Sequence, residues 1–310
     1  MSQPLSVENK DWIVFITTRT AESRLWFINN KALEREILGC LARYQSIYEV
    51  EIFGFILMGN HYHLIARFPK ENRASFMRDF NSAIARLVSR YYFVKGRRAV
   101  WARRYAYQIL PRDADVENWY LYLVLNPVSS GIVDCVAKYT AFNSHHDYMN
   151  GKVRSYYWTN WSLYCLAKRS NSSLKPEDFR VQYELKFSRL PGQENILISK
   201  IKDYFKTKIT ERTLQIQQNR LSIGKGFLGK ALMMKQSIGS CPKSSKQSTR
   251  FTKRPIVLSL CSQVRIYFLK IYFEIKNRFK RASSYFLRGV MKYDFPPGTY
   301  TPPRYVKRIT

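Results

Sequence analysis

The chain has 310 residues, 45% of them apolar, and its 52 Lys and Arg against 22 Asp and Glu leave a formal charge of +30. That apolar share excludes a disordered chain, and the charge opposes compaction unless a polyanion offsets it, so nucleic acid is the first partner to consider. Five scattered cysteines (Cys40, Cys135, Cys165, Cys241, Cys261) form no CxxC pair. They argue against a disulfide framework or zinc ribbon and fit a cytoplasmic protein; no secretory signal or membrane span is expected.

Trp12 to Thr18 (WIVFITT) reads as a strand, being β-branched and aromatic. Lys31 to Tyr48 places Leu33, Ile37, Leu38, Leu41 and Ile47 near helical spacing, with Asn30 as N-cap. Val50 to Met58 is a second strand, Gly59-Asn60 a turn, and His61 to Phe68 a third strand. Glu71 to Phe93 reads as a helix with Met77, Phe80, Ile84, Leu87, Val88 and Tyr91 on one face. Tyr105 to Leu110 is a fourth strand, and Asp115 to Leu125 a helix capped by Asp113 or Asp115 and ended by Pro127. The order β-α-β-β-α-β predicts an α+β, ferredoxin-like domain with an antiparallel sheet over residues 1–150.

Charge divides the chain unevenly. Residues 1–150 hold 19 Lys/Arg and 14 Asp/Glu, a net of +5; residues 151–310 hold 33 and 8, a net of +25. Residues 151–235 read as a basic, mostly helical extension, with helices over Glu194 to Phe205 and Ile209 to Gln218. Residues 236–255 read as a flexible basic linker, and 256–310 as an amphipathic helix followed by an extended, Pro-rich tail. The helix stripe is Leu260, Val264, Phe268, Ile271, Ile275 and Phe279. This basic half is expected to hold flanking nucleic acid, so that truncation after about residue 150 lowers the salt dependence of binding.

Two of the four histidines stand in His61-Tyr62-His63. On a strand, positions i and i+2 share a face, and two neutral imidazoles side by side are half of a divalent-metal site. A solvated pair of strand histidines would give the same spacing. Tyr122 and Asn126 are i and i+4, which stacks them on one helix face. Arg78, Arg86, Arg90, Arg97, Arg98, Arg103 and Arg104, interleaved with Tyr91, Tyr92, Trp101 and Tyr105, suit single-stranded DNA, whose phosphates take guanidinium and whose bases stack on rings. Trp101 and Tyr105 are the best core candidates among those rings. Two further patterns carry no chemistry: Gly224-Lys-Gly226-Phe-Leu-Gly229 matches GxGxxG without a preceding strand, and His145-His146-Asp147 reads as a surface loop.

Phe55-Ile-Leu-Met-Gly-Asn-His61-Tyr-His63-Leu-Ile resembles the HUH segment of single-tyrosine transposases. Trp101 to Leu110, with Tyr122-Leu-Val-Leu-Asn-Pro-Val128, resembles the REP-associated tyrosine transposase branch, over roughly residues 10–150. The resemblance implies that His61, His63 and Asn126 bind a divalent metal, Mg²⁺ or Mn²⁺, with Zn²⁺ left open. It implies that Tyr122 attacks single-stranded DNA beside a hairpin to give a 5′-phosphotyrosine. Tyr120 is the rival nucleophile. The sequence departs from the family at Gly59, where Pro is frequent, and at Ser129-Ser130, where Arg-Ala is frequent. These changes are expected to loosen the turn and to remove a phosphate contact. The alternatives are a non-catalytic hairpin-binding protein derived from a transposase, and an RNA-binding module. A nucleoid location is expected; monomer or homodimer is left open.

Overall fold

The computed structural model describes residues 5–92, 99–242, 255–290 and 294–302. In chain order the first elements are β1 (Ile13–Arg19), α1 (Lys31–Tyr48), β2 (Glu51–Met58), β3 (His61–Arg67), α2 (Arg73–Tyr92), β4 (Ala106–Leu110) and α3 (Asp113–Val124). These follow the expected order, with ends shifted by up to two residues. The sheet runs β2-β3-β1-β4 and every pairing in it is antiparallel. That is the split βαβ arrangement anticipated for an α+β domain.

Side-chain alternation divides the sheet into two cores. Val14, Ile16, Tyr62, Leu64 and Ala66 face α1 and α2, whose Leu33, Ile37, Leu41, Phe76, Phe80 and Ile84 complete that layer. Ile13, Phe15, Ile56, Met58 and Ile65 face the other way and pack under α3 through Val116, Tyr120, Leu123 and Val124. β2 carries a bulge between Ile52 and Gly54. A Cβ on Gly54 would stand 3.3 Å from the Tyr120 ring and 3.4 Å from Leu123, so the glycine lets α3 approach the sheet closely.

Capping follows the prediction at α1, where the Asn30 side chain accepts from the Leu33 N–H at 2.9 Å. At α3 it does not: the N-cap is Arg112, without a side-chain cap bond. Asp115 is instead turned inward, where both carboxylate oxygens meet the Arg112 guanidinium at 3.0 Å and one accepts from the Leu260 N–H. Burial raises its pKa, but these bonds outweigh it and hold the carboxyl below the ordinary range.

The chain continues with α4 (Asn126–Ser129), α5 (His145–Met149), β5 (Arg154–Thr159), α6 (Trp161–Ser170), β6 (Arg180–Leu185), α7 (Ile198–Ser222), α8 (Gly229–Met234) and α9 (Ser262–Leu287). Residues 151–235 are thus not simply helical: β5 and β6, with α6 between them in sequence, form a two-stranded antiparallel sheet docked on α1. Gly39 makes this docking possible, since a Cβ there would lie 2.1 Å from the Tyr157 carbonyl oxygen. The two helices expected over 194–218 are one continuous α7. Its Ile201 and Phe205 enter the core beside Tyr120.

The first residues of the expected linker are also fixed. Leu25 N–H donates to Ser240 O at 2.9 Å, Gly239 N–H to Leu25 O at 3.0 Å, and the Asn29 amide to Met234 O and Gln236 O. Residues 243–254 of that segment lie outside the described residues. Along α9, Val264, Phe268, Ile271, Ile275 and Phe279 are half-buried, whereas Leu260 precedes the helix and is exposed. Before α9, Ile256 to Leu258 run beside the edge strand β4: Ile109 N–H donates to Ile256 O and Leu258 N–H to Ile109 O, both at 2.8 Å. The Pro-rich tail is not extended throughout. It turns at Gly298 (φ 70°), whose carbonyl accepts from Glu8 N–H at 2.7 Å.

Candidate active site between the sheet and α3

The alternation of β3 sends Tyr62 into the core under α2, where its hydroxyl donates to Asn81 Oδ1 at 2.7 Å. His61 and His63 therefore emerge on the opposite face, with ring centroids 4.9 Å apart. Each imidazole is oriented through Nδ1: His61 against Asn60 Oδ1 and His63 against Thr17 Oγ1, both at 2.7 Å. Register explains the second contact, because Thr17 stands directly across from His63 on β1, and Arg19 across from His61. Phe15, two residues before Thr17 on the same face, stacks on His63 at 4.9 Å. A ring nitrogen fixed in this way sets the tautomer and directs metal chemistry to Nε2.

α3 lies across this face. Tyr122 stands near its end, with its ring 5.8 Å from the His63 ring, 4.9 Å from Trp119 and 5.8 Å from Phe15. Tyr122 and Asn126 were expected on one helix face, but α3 stops at Val124 and a new turn, α4, starts at Asn126. Pro127 has no N–H for the carbonyl four residues back, so the helical ladder is interrupted there. The path still curls tightly enough to bring the Asn126 amide nitrogen to 3.3 Å from His63 Nε2. His61, His63, Tyr122 and Asn126 are accordingly gathered at one place.

The two α3 tyrosines differ completely in surroundings. Tyr122 is 40% exposed, whereas Tyr120 is fully buried between Tyr148 and Phe205 and shares a 3.1 Å hydrogen bond with His145 Nδ1. Burial pushes the Tyr120 phenol well above its ordinary value. His145 is no surface-loop residue. It opens α5, and burial, helped by the neighbouring His146, lowers its pKa to about 4. Asp147, two residues on, is buried and paired with Arg154 at 2.6 Å, whereas His146 between them is exposed.

At the two departures from the family pattern the contacts are definite. The Gly59-Asn60 turn is pinned by Phe27 N–H to Gly59 O (3.0 Å) and Thr20 N–H to Asn60 O (2.9 Å), and a Cβ at Gly59 would meet Ile28 at 2.8 Å. The turn is tied down rather than loosened. Ser130 Oγ donates to Asn126 Oδ1 at 3.4 Å, and Arg220 of α7 donates to Ser129 O at 3.5 Å.

The arginines divide between the two faces. Arg78, Arg86 and Arg90 are exposed on α2, which covers the face away from His61 and His63; Arg78 pairs with Asp79. Arg103 and Arg104 follow Ala102, whose N–H donates to Arg19 O at 3.0 Å, so they stand at the His61 end of β1. Arg97 and Arg98 lie outside the described residues. Trp101 and Tyr105 pack against the core, as expected. Thr17, Phe15, Asn60 and Trp119 were not anticipated; β-pairing register is the signal that finds the first two.

Residues 13–123 match the model of the family described as IS200-like transposases. The matched stretch coincides with the sheet domain, from β1 to the end of α3. The match includes His61, His63 and Tyr122 and stops three residues before Asn126. Among solved structures, a REP-associated tyrosine transposase bound to a REP hairpin aligns at 18% identity and TM-score 0.39, over 48% of this chain and 86% of that one. A protein of Deinococcus radiodurans assigned as a transposase aligns at 13% identity and TM-score 0.28, over 38% of this chain and 93% of that one. A search of curated proteins finds no match. Among the described residues, no helix is long and apolar enough to cross a membrane.

Proposed function

We propose that the chain is a REP-associated-type tyrosine transposase that cleaves and rejoins single-stranded DNA through Tyr122, beside hairpin elements. The observation that carries this reading is the meeting of an exposed tyrosine with two oriented histidines and an amide, on the face of the sheet that α1 and α2 leave uncovered. Tyr122 Oη attacks a phosphodiester phosphorus, its proton passes to solvent, the P–O3′ bond breaks, and the products are a 5′-phosphotyrosine and a free 3′-hydroxyl. The covalent bond conserves the phosphodiester energy, so a later 3′-hydroxyl displaces Tyr122 without a nucleotide cofactor.

The donor set fits a divalent ion. Among the described residues there is no group of three or more His, Cys, Asp and Glu, so the third protein donor would be the Asn126 amide oxygen beside His61 and His63. The amide oxygen and added waters suit Mn²⁺ or Mg²⁺, while the two imidazoles leave Zn²⁺ open as well. When bound, the ion would neutralise phosphoryl charge, which a phenol of pKa ~10 needs in its electrophile at neutral pH. Thr17 and Asn60 hold the imidazoles in place, while Trp119 and Phe15 limit the swing of the Tyr122 ring.

The test is incubation of the full chain with end-labelled hairpin DNA bearing a single-stranded flank, in Mn²⁺ or Mg²⁺. A covalent protein–DNA adduct is expected, lost in Tyr122→Phe and in His61→Ala, with binding retained in the latter. Binding without an adduct in either metal would leave a hairpin-binding protein and refute the enzyme reading.

A further inference from the structure

A second cleft opens on the other side of the sheet, between α1, α2 and the β5–α6 segment. Its volume is about 260 Å³, and Arg86, Arg90, Trp158, Trp161 and Glu36 are among its walls. The cleft lies partly outside the transposase family match, because Trp158 and Trp161 come from the region after residue 123.

Its chemistry is one-sided. The Arg90 guanidinium lies over the Trp161 ring at 3.8 Å, while Arg43, which does not line the cleft, covers Trp158 from behind at 4.0 Å. Such stacking holds guanidinium planes in place with their N–H edges directed outward. Glu36 brings the opposing charge, but its two carboxylate oxygens are engaged by protein donors: Tyr91 O–H at 2.8 Å and Trp161 Nε1–H at 2.9 Å. Arg86 and Arg90 are exposed and neither is within ion-pair distance of a carboxylate among the described residues. The cleft thus offers cationic edges and indole faces side by side. That combination suits an unpaired nucleotide, whose base stacks on a ring or guanidinium plane while its phosphate takes the other arginine.

We infer that this cleft binds single-stranded DNA on the face opposite Tyr122, engaging nucleotides removed from the cleavage point. The assignment to DNA rests on the reading of the chain as a DNA-acting enzyme, while the cleft itself stands on its own geometry. Arg86 and Arg90 are therefore placed away from the reacting phosphate, and their role is retention of the strand.

The experiment measures anisotropy of a fluorescein-labelled oligo-dT with the full chain in EDTA, so that metal at the His61/His63 site does not contribute. The R86A/R90A double variant changes exposed side chains and is expected to fold. Its binding should weaken roughly tenfold or more, with the slope of log K against log salt falling by about 1.4, or ~0.7 for each of two phosphates. An oligonucleotide carrying 5-iododeoxyuridine should photocrosslink within residues 158–161. Unchanged affinity and slope, or crosslinks confined to the Tyr122 face, overturn the inference. Tighter binding of oligo-U with the same dependence on Arg86 and Arg90 would overturn the choice of DNA. Adduct formation by the unaltered chain is scored separately. An adduct with an indifferent cleft defeats only this inference, and a responsive cleft without an adduct defeats only the cleavage reading.

Discussion

Tyr120 and Tyr122 are two residues apart on α3, and their conservative substitutions should produce opposite results. In Tyr120→Phe the ring keeps its contacts with Tyr148 at 4.9 Å and Phe205 at 5.2 Å, so no cavity opens. What disappears is the 3.1 Å hydrogen bond to His145 Nδ1, in a position with no solvent to replace it. A net hydrogen bond contributes about 0.5–1.5 kcal/mol, and a buried partner left unsatisfied costs about 1–3 kcal/mol. A loss of about 1–2 kcal/mol is therefore expected for Tyr120→Phe. Tyr122→Phe removes a hydroxyl from a side chain that is 40% exposed, where solvent can take over its hydrogen bonding, so its loss of stability should be smaller than that of Tyr120→Phe. Adduct formation should show the reverse pattern, retained in Tyr120→Phe and abolished in Tyr122→Phe. Urea unfolding and a denaturing gel of labelled hairpin DNA measure the two quantities. An adduct that survives Tyr122→Phe and vanishes in a folded Tyr120→Phe would refute the assignment of the nucleophile and the burial reasoning behind it.

Three further outcomes are expected. Thr17→Val removes the oxygen that orients His63 and should raise the Mn²⁺ concentration needed for adduct formation by about 10–100-fold, with Thr17→Ser restoring it; an unchanged titration would detach Thr17 from the site. Gly39→Ala puts a Cβ 2.1 Å from the Tyr157 carbonyl and should undock the β5–β6 sheet from α1, seen as new proteolytic cleavage within residues 151–190. His145 has a folded-state pKa of about 4 against an ordinary 6.5, so the unfolded chain binds the extra proton first on acidification. Its contribution is complete above pH ~6.5 and is lost as pH falls toward 4, amounting to about 3 kcal/mol. The difference in stability between the unaltered chain and His145→Gln should shrink across that window, and a difference independent of pH would contradict the burial of a neutral ring.

The sheet domain was legible because its elements are short and its patterns unmixed. β1 and β3 are dense in β-branched and apolar residues, and α1 carries a regular stripe with an asparagine at its start. Alternation also placed His61 and His63 on one face. The position of Arg78, Arg86 and Arg90 was legible in principle too: right-handed crossovers put α1 and α2 on one side of the sheet, and Tyr62 and Leu64 identify it as the side away from the histidines. The break at Leu125 was harder to see, because a proline two residues on is compatible with either a helix end or a new turn. β5 and β6 escaped detection although Tyr156, Tyr157, Trp158, Val181 and Tyr183 favour a strand, because both lie largely open to solvent and show little apolar alternation. The single helix α7 looks like two in the sequence because its surface is polar nearly all round, leaving few buried anchors beyond Ile201, Phe205 and Thr213.

Charge by halves suggests a core with a detachable basic tail, and the packing in the structure argues against that division. Phe205 of α7 is fully buried against Tyr120, and Ile201 shares the same cluster with Phe15 and Ile56. Leu258, Tyr148 and Met149 belong to it as well. Ending the chain near residue 150 would return the faces covered by Ile201, Phe205 and Leu258 to water, at about 1.5–3 kcal/mol for each side chain that loses its burial. Part of that cost would fall on α3, the helix that positions Tyr122. A truncated chain that bound DNA with a lower salt slope could owe the change to a loosened site as readily as to the missing +25. The role of the basic half is better measured on the full chain by neutralising exposed lysines of α7 and α9. Each phosphate that is no longer neutralised should then reduce the slope by about 0.7 on single strands while unfolding stays unaltered.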